Sequence, residues 1–267
     1  MQIQEGALSW IKGVFIWLAV MTLSYCGAVL FEKGFNLNLF ESFNFLIYYL
    51  SFSVIALAIG ILIREHTMQC RFFYFNKFPI RLIFPLIIAT LAILVLVMPI
   101  VNLIPMNDQI VQWFTKYSTD TSIAQMATVI FVAPLVEELI FRGIILDGLL
   151  KKYSPVFAIF FSGLLFALAH FNPWQIVTAF ALGVFSGWMY YKTKSLLPCI
   201  LIHFTANFTA YLLQYKISVD ISLIEGSDPG VISLKLIFPF FILILVLFFA
   251  LMNLDKSIKS PFLKEDK

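Results

Sequence analysis

Eight apolar runs follow one another along the 267-residue chain, at about 11–31, 43–63, 82–104, 123–150, 155–172, 174–191, 196–215 and 232–253. Each reaches about 18 residues or more, enough for an α-helix to cross a hydrocarbon core of about 30 Å. A bilayer offers no water to backbone N–H and C=O groups, so segments that cross it must satisfy their own hydrogen bonds, and runs of this length do so as helices. The expected fold is an all-α polytopic membrane protein of about eight transmembrane helices. Composition agrees: 61% of residues are hydrophobic and 12% charged, with mean hydropathy +0.94, where a soluble domain is about half apolar and about a quarter charged.

The opening "MQIQEGALSWIKG" has no basic region ahead of a short apolar stretch and no small-residue cleavage site, so the first run is read as a retained helix. Cys26 and Cys199 fall in spans and Cys70 in a loop, with no CxxC spacing. Neither a disulfide framework nor a thiolate metal site is expected.

Lys and Arg sort by side. With eight spans, 13 of the 18 lie on the side that holds both termini: Lys12, Arg64, Arg71, Lys77, Arg81, Lys151, Lys152, Lys192, Lys194, Lys256, Lys259, Lys264 and Lys267. Lys33, Lys116 and Lys216 lie on the other, and Arg142 and Lys235 fall within spans. The positive-inside rule places both termini in the cytoplasm. One membrane domain fills the chain: residues 1–122 form three scaffold helices and an outer segment, 123–215 a core of spans four to seven, and 216–267 an outer loop, the eighth helix and a cytoplasmic tail.

In the outer segment, Ile110, Trp113, Phe114 and Tyr117 recur at i, i+3, i+4 and i+7, the pattern of a short helix lying on the membrane surface. The cytoplasmic loop "REHTMQCRFFYFNKFPIR" mixes basic residues with Phe72, Phe73, Tyr74, Phe75 and Phe78, which suits headgroup anchoring and gives no reason to expect nucleic acid as a partner. His66 there is a loop histidine. Ser154 and Pro155 make a helix start, and Gly183 and Gly187 a GxxxG pair for close helix packing.

Polar chemistry inside the spans concentrates in three of them. Span four carries Glu137, Glu138 and Arg142, span five His170, and span seven His203 and Asn207. An ionisable group at mid-membrane costs about 2.5–3.5 kcal/mol on insertion scales, so such a cluster implies function. Glu138 and Arg142, four apart, also suit a purely structural pair. Helical rise places all these groups in one layer. His203 and Asn207 share a helix face, whereas Glu137 and Glu138, about 100° apart, take different roles. A carboxylate with a histidine can activate water as general base, and a second His with an Asn supplies donors to an oxyanion. Together they describe hydrolysis of an amide or ester within the membrane. Pro134, one turn before Glu137, frees a carbonyl and can kink span four to admit water.

At these residues the chain resembles the CAAX-protease and bacteriocin-processing (CPBP, or Abi) family of intramembrane peptidases. Three motifs occur in order: EExxxR as "EELIFR" (Glu137, Glu138, Arg142), FxxxH as "FALAH" (Phe166, His170) and HxxxN as "HFTAN" (His203, Asn207). "KSLLPCILIH" is similar to the family's Ser-Leu helix start before its third motif. The resemblance covers about 123–215. It implies an endopeptidase acting on a membrane-associated peptide or protein, with Glu137 activating water beside His170, His203 and Asn207 stabilising the oxyanion, and Glu138 and Arg142 paired in support. No cofactor is required in that scheme. In a zinc-dependent version, Glu137, His170 and His203 would be the ligands, although HExxH is absent. The resemblance does not specify a prenylated substrate. A proton- or ion-coupled transporter, with Glu and His as a relay, and a non-catalytic membrane scaffold are the alternatives from other classes. Oligomeric state has no sequence signal.

Overall fold

The computed structural model describes residues 9–34, 50, 53–62, 73–105, 123–216 and 234–258. Among these residues the fold is all-helical, with eight helices. They are α1 (Trp10–Gly34), α2 (Ser53–Leu62), α3 (Ile80–Asn102, its first turn 3-10), α4 (123–150), α5 (Pro155–Leu168), α6 (Pro173–Thr193), α7 (Leu196–Lys216) and α8 (Leu234–Ser257). Each lies within one of the eight apolar runs or overruns it by a few residues. Two of them, Ile80–Asn102 and Leu196–Leu213, are long and apolar enough by themselves to cross a membrane. The outer-segment helix expected around Ile110 to Tyr117, His66, Cys70 and Phe72 lie outside the described residues.

Local signals explain several boundaries. Ser154 caps α5, its hydroxyl accepting from Phe157 N at 3.4 Å, with Pro155 at the first helical position. Asn172 and Pro173 do the same for α6, Asn172 Oδ1 accepting from Trp174 N at 3.1 Å. Ser195 Oγ accepts from Leu197 N at 3.3 Å, making the Ser-Leu helix start of α7. Span five is shorter than expected: α5 stops at Leu168, and a turn through left-handed Phe171 (φ 50°) leads into α6. His170 therefore sits just beyond the helix rather than in it.

α4 is not a continuous α-helix. It alternates α segments with π turns at Thr128–Val132 and Leu139–Leu146, a register change that inserts an extra residue per turn and is frequent at functional sites. The first π turn has a visible sequence cause. Ala133 N–H bonds back to Thr128 O, so Val129 O loses its α partner, and its π partner would be residue 134, a proline without an N–H. Asn207 of α7 takes that carbonyl instead, Nδ2 donating to Val129 O at 2.8 Å.

Two apolar clusters hold the bundle. One joins α1, α2, α4 and α5 and includes Ile16, Ala56, Ile144 and Ala158; the other joins α3 and α8 and includes Leu86 and Leu254. α6 and α7 belong to both, through Ala179 and Cys199 in the first and Leu182 and Ile202 in the second. α5 and α6 pack closely because glycines face each other: a Cβ on Gly183 would lie 3.1 Å from Gly163 Cα, and one on Gly187 would lie 3.2 Å from Ile159 Cγ2. The GxxxG pair is thus a packing device.

One end of the bundle gathers charge. Asp147 of α4, fully buried, accepts from Tyr190 Oη at 2.9 Å and pairs with Lys194 and Lys151. Lys192 pairs with Asp255 near the end of α8 at 2.7 Å. Residues 73–79 lie against the α6–α7 turn: Asn76 Nδ2 donates to Lys194 O, Ser195 Oγ donates to Asn76 O, and Lys194 Nζ rests 4.7 Å from the Tyr74 ring centroid. The start of α1 joins the same end, Trp10 N donating to Tyr153 Oη at 3.3 Å.

Candidate active site

The site is built on α4, α5, α6 and α7, and its hub is Glu138. This carboxylate, 1% exposed, accepts three side-chain donors: Arg142 Nη1 at 3.0 Å and His203 Nδ1 at 3.1 Å on Oε1, and Ser186 Oγ at 3.1 Å on Oε2. The i, i+4 pair expected within span four is formed and is fully buried. Its partners from α6 and α7 make it a three-helix junction rather than a local support. A buried ion pair of this kind survives desolvation only if its remaining hydrogen-bonding capacity is met. Arg142 meets part of that need by donating Nη2 to Gly183 O at 3.2 Å and by lying 4.5 Å over the Phe166 ring; its Nε has no hydrogen-bond partner among the described residues.

His203 links the two glutamates. A carboxylate of this kind accepts, so Nδ1 carries a hydrogen, and the ring turns Nε2, which bears a second hydrogen only in the imidazolium form, to its other side. There Glu137 Oε2 stands 3.9 Å away, with Glu137 26% exposed. The adjacent carboxylates, about 100° apart on the helix, thus bracket one imidazole from opposite nitrogens. Their surroundings differ: Glu138 is buried, Glu137 retains access.

Phe166 positions both histidines. Its ring meets His170 edge-on at 5.0 Å and His203 edge-on at 5.4 Å between centroids. His170 Nδ1 donates to Phe166 O at 3.0 Å, which fixes the ring and leaves Nε2 uncommitted among the described residues. Arg142 from α4, His170 from the turn after α5 and His203 from α7 therefore surround one aromatic ring.

Beside them opens a cavity of about 370 Å³. Glu138, Arg142, Phe166, His170, Ser186, His203 and Asn207 line its polar end, and α3 supplies an apolar wall that includes Leu94, Val95 and Met98. Glu137 is not among the lining residues. The sequence expectation put both glutamates in one polar layer with different roles; Glu138 lines the cavity itself, and Glu137 meets its lining through His203. The i, i+4 spacing correctly paired Glu138 with Arg142, but it could not show that His203 and Ser186 would reach the same carboxylate. Asn207 differs in part: it lines the cavity, yet one of its amide hydrogens is spent on Val129 O.

For the zinc version, the donor set decides the fit. Among the described residues no three His, Cys, Asp or Glu side chains converge as metal ligands. Glu137, His170 and His203 do not form such a set here, and His203 Nδ1 and His170 Nδ1 are already engaged by Glu138 and a carbonyl.

Sequence reasoning missed Ser186 and Asp147. Ser186 had a signal, a lone hydroxyl between Gly183 and Gly187 on an apolar helix. Asp147 also had one, as an acidic residue near the end of span four with the lysines of two turns close by.

Residues 119–209 match a family model. Its description is Rce1-like: type II CAAX prenyl endopeptidase Rce1-like. The matched segment runs from just before α4 into α7 and contains all three motifs and Ser186, in accord with the resemblance read from them. α1, α2, α3 and α8 lie outside it. No curated protein and no solved structure matches the chain.

Proposed function

We propose that this protein is an intramembrane endopeptidase in which Glu137 is the base that activates water. The observation that supports Glu137 over its neighbour is the difference in exposure: Glu138, buried, is held by Arg142, His203 and Ser186, whereas Glu137 keeps solvent access and meets the opposite face of His203. A carboxylate holding three donors is a poor proton acceptor, because taking a proton would forfeit charge-assisted hydrogen bonds.

In this scheme Glu137 takes a proton from a water held with His170 Nε2 as the water oxygen bonds to the carbonyl carbon of the scissile peptide. The carbonyl π electrons move onto oxygen, and the oxyanion is met by Nε2–H of the imidazolium form of His203 and by the second amide hydrogen of Asn207. Collapse breaks the C–N bond, and protonated Glu137 returns its proton to the leaving amine. Glu138 and Arg142 hold His203 in place. The substrate is a membrane-associated peptide or protein. The eight helices cross the membrane, with 1–122 and 216–267 framing the core and both termini cytoplasmic.

The test compares wild type with Glu137→Gln in detergent or liposomes, on a farnesyl-cysteine CAAX peptide and on the same peptide without its prenyl group. Wild type should cleave at least one of them, and Glu137→Gln should lose at least 100-fold in kcat/KM, the scale of a general-base loss. Equal rates for the two proteins would remove Glu137 from the base role. Activity that survives exhaustive chelation, with no bound metal by elemental analysis, is expected; abolition by chelation and restoration by Zn²⁺ would favour the zinc version.

A further inference from the structure

The cavity has two unlike walls. α3 offers only apolar side chains, Leu94, Val95 and Met98 among them, while the facing stretch of α6 carries Gln175 and Thr178 between His170 and Ser186. Three apart on one helix, these two lie on the same face about 4.5 Å apart along the axis. Gln175 is exposed and Thr178 half-buried, both line the cavity, and neither has a hydrogen-bond partner among the described residues. Thr178 contrasts with Thr90, Thr128, Thr193, Thr205 and Thr209, each of which donates its hydroxyl to the carbonyl four residues back. An exposed amide and a half-buried hydroxyl thus lie along the cavity between its polar end and its apolar wall, and neither is spent within the fold.

A peptide bound for hydrolysis must be unwound, and its freed N–H and C=O groups are costly to bury without partners. The α3 wall cannot receive them. We infer that Gln175 and Thr178 form a main-chain subsite that holds an extended stretch of substrate peptide, with Gln175 pairing with one peptide unit as donor and acceptor and Thr178 with the next. The substrate's side chains then turn toward α3. This rests on the peptidase reading for its ligand class, since a lipid tail in the same chamber would have no peptide groups to pair.

The experiment separates binding from turnover. Affinities are measured by fluorescence anisotropy for a labelled nine-residue peptide of apolar sequence on the Glu137→Gln protein, and for variants of that peptide N-methylated at one backbone position at a time. At one or two adjacent positions N-methylation should weaken binding about five- to tenfold, the scale of one or two hydrogen bonds. In Gln175→Leu or Thr178→Val, near-isosteric changes at an exposed and a half-buried position, the unmethylated peptide should bind about five- to tenfold more weakly, and methylation at the matching position should have no further effect. Gln175→Asn should restore little, because the shorter amide cannot reach. Methylation sensitivity unchanged in both variants, or no position sensitive in the parent, would overturn the subsite, as would displacement of the peptide by phospholipid with no backbone dependence. If the peptide binds as described but wild type cleaves no peptide, the peptidase reading fails and the subsite stands.

Discussion

Glu137 and Glu138 show how far the surroundings of two identical side chains can diverge in one helical step. Removing the charge of Glu138 would leave Arg142 buried without its counter-ion and His203 and Ser186 without their acceptor. Glu138→Gln should therefore cost about 3–5 kcal/mol, as expected for one half of a buried pair. Glu137→Gln, at a partly exposed position, should change stability by under about 1 kcal/mol. Thermal unfolding of the purified proteins in detergent reads both, and equal shifts would mean that Glu138 is not the hub. Ser186→Ala should fall between them at about 1.5–3 kcal/mol, one hydrogen bond to a charged acceptor. At this scale the sequence named Glu138, Arg142, His203 and Asn207 and predicted the helical pair. The contacts that cross between helices were not legible, because spacing along a chain fixes only which groups share a helix face, and His203 lies 65 residues from Glu138.

Among the elements, α4 carries the most information. Pro134 was expected to free a carbonyl and kink the span; the outcome is a π turn whose orphaned acceptor, Val129 O, is claimed by Asn207. This couples two substitutions. Asn207→Leu should cost about 1–3 kcal/mol by leaving Val129 O without its donor. With Pro134→Ala, residue 134 regains an N–H that can serve that carbonyl, so Asn207→Leu in this background should cost less than about 1 kcal/mol. A double-mutant cycle in detergent measures the difference, and strict additivity would show that the proline and the amide act independently. Helix starts at Ser154 and Ser195 were legible because caps are local chemistry. The π turns and the early end of α5 at Leu168 were not, since each depends on what neighbouring helices offer in return. Close packing at Gly183 was legible as a motif, and its cost can be stated: Gly183→Ala brings a methyl to 3.1 Å from the Gly163 backbone, so about 1–3 kcal/mol should be lost to overpacking.

For the whole molecule, the sorting of Lys and Arg by side and the structure's own contacts bear on the same question from independent directions. The charge count puts the turns at 151–154 and 192–195, the loop before α3 and both termini on one side. In the structure Lys151 and Lys194 meet at Asp147, Lys192 meets Asp255 at the end of α8, residues 73–79 rest on the α6–α7 turn, and Trp10 at the start of α1 meets Tyr153. Five segments assigned to one side by charge are gathered at one end by contact. Three of those basic residues are also tied to acidic partners, so their placement serves the fold as well as the topology. If that end faces the cytoplasm, Lys152→Cys, exposed in the α4–α5 turn, should be shielded in sealed right-side-out vesicles and react with a membrane-impermeant maleimide only after permeabilisation. Ser118→Cys, in the expected outer loop, should react before it. Cys70→Ser serves as the background for both, because Cys70 is assigned to the cytoplasmic loop. The reverse pattern would invert the molecule, and labelling of both in sealed vesicles would mean that the span count between residues 118 and 152 is even rather than odd.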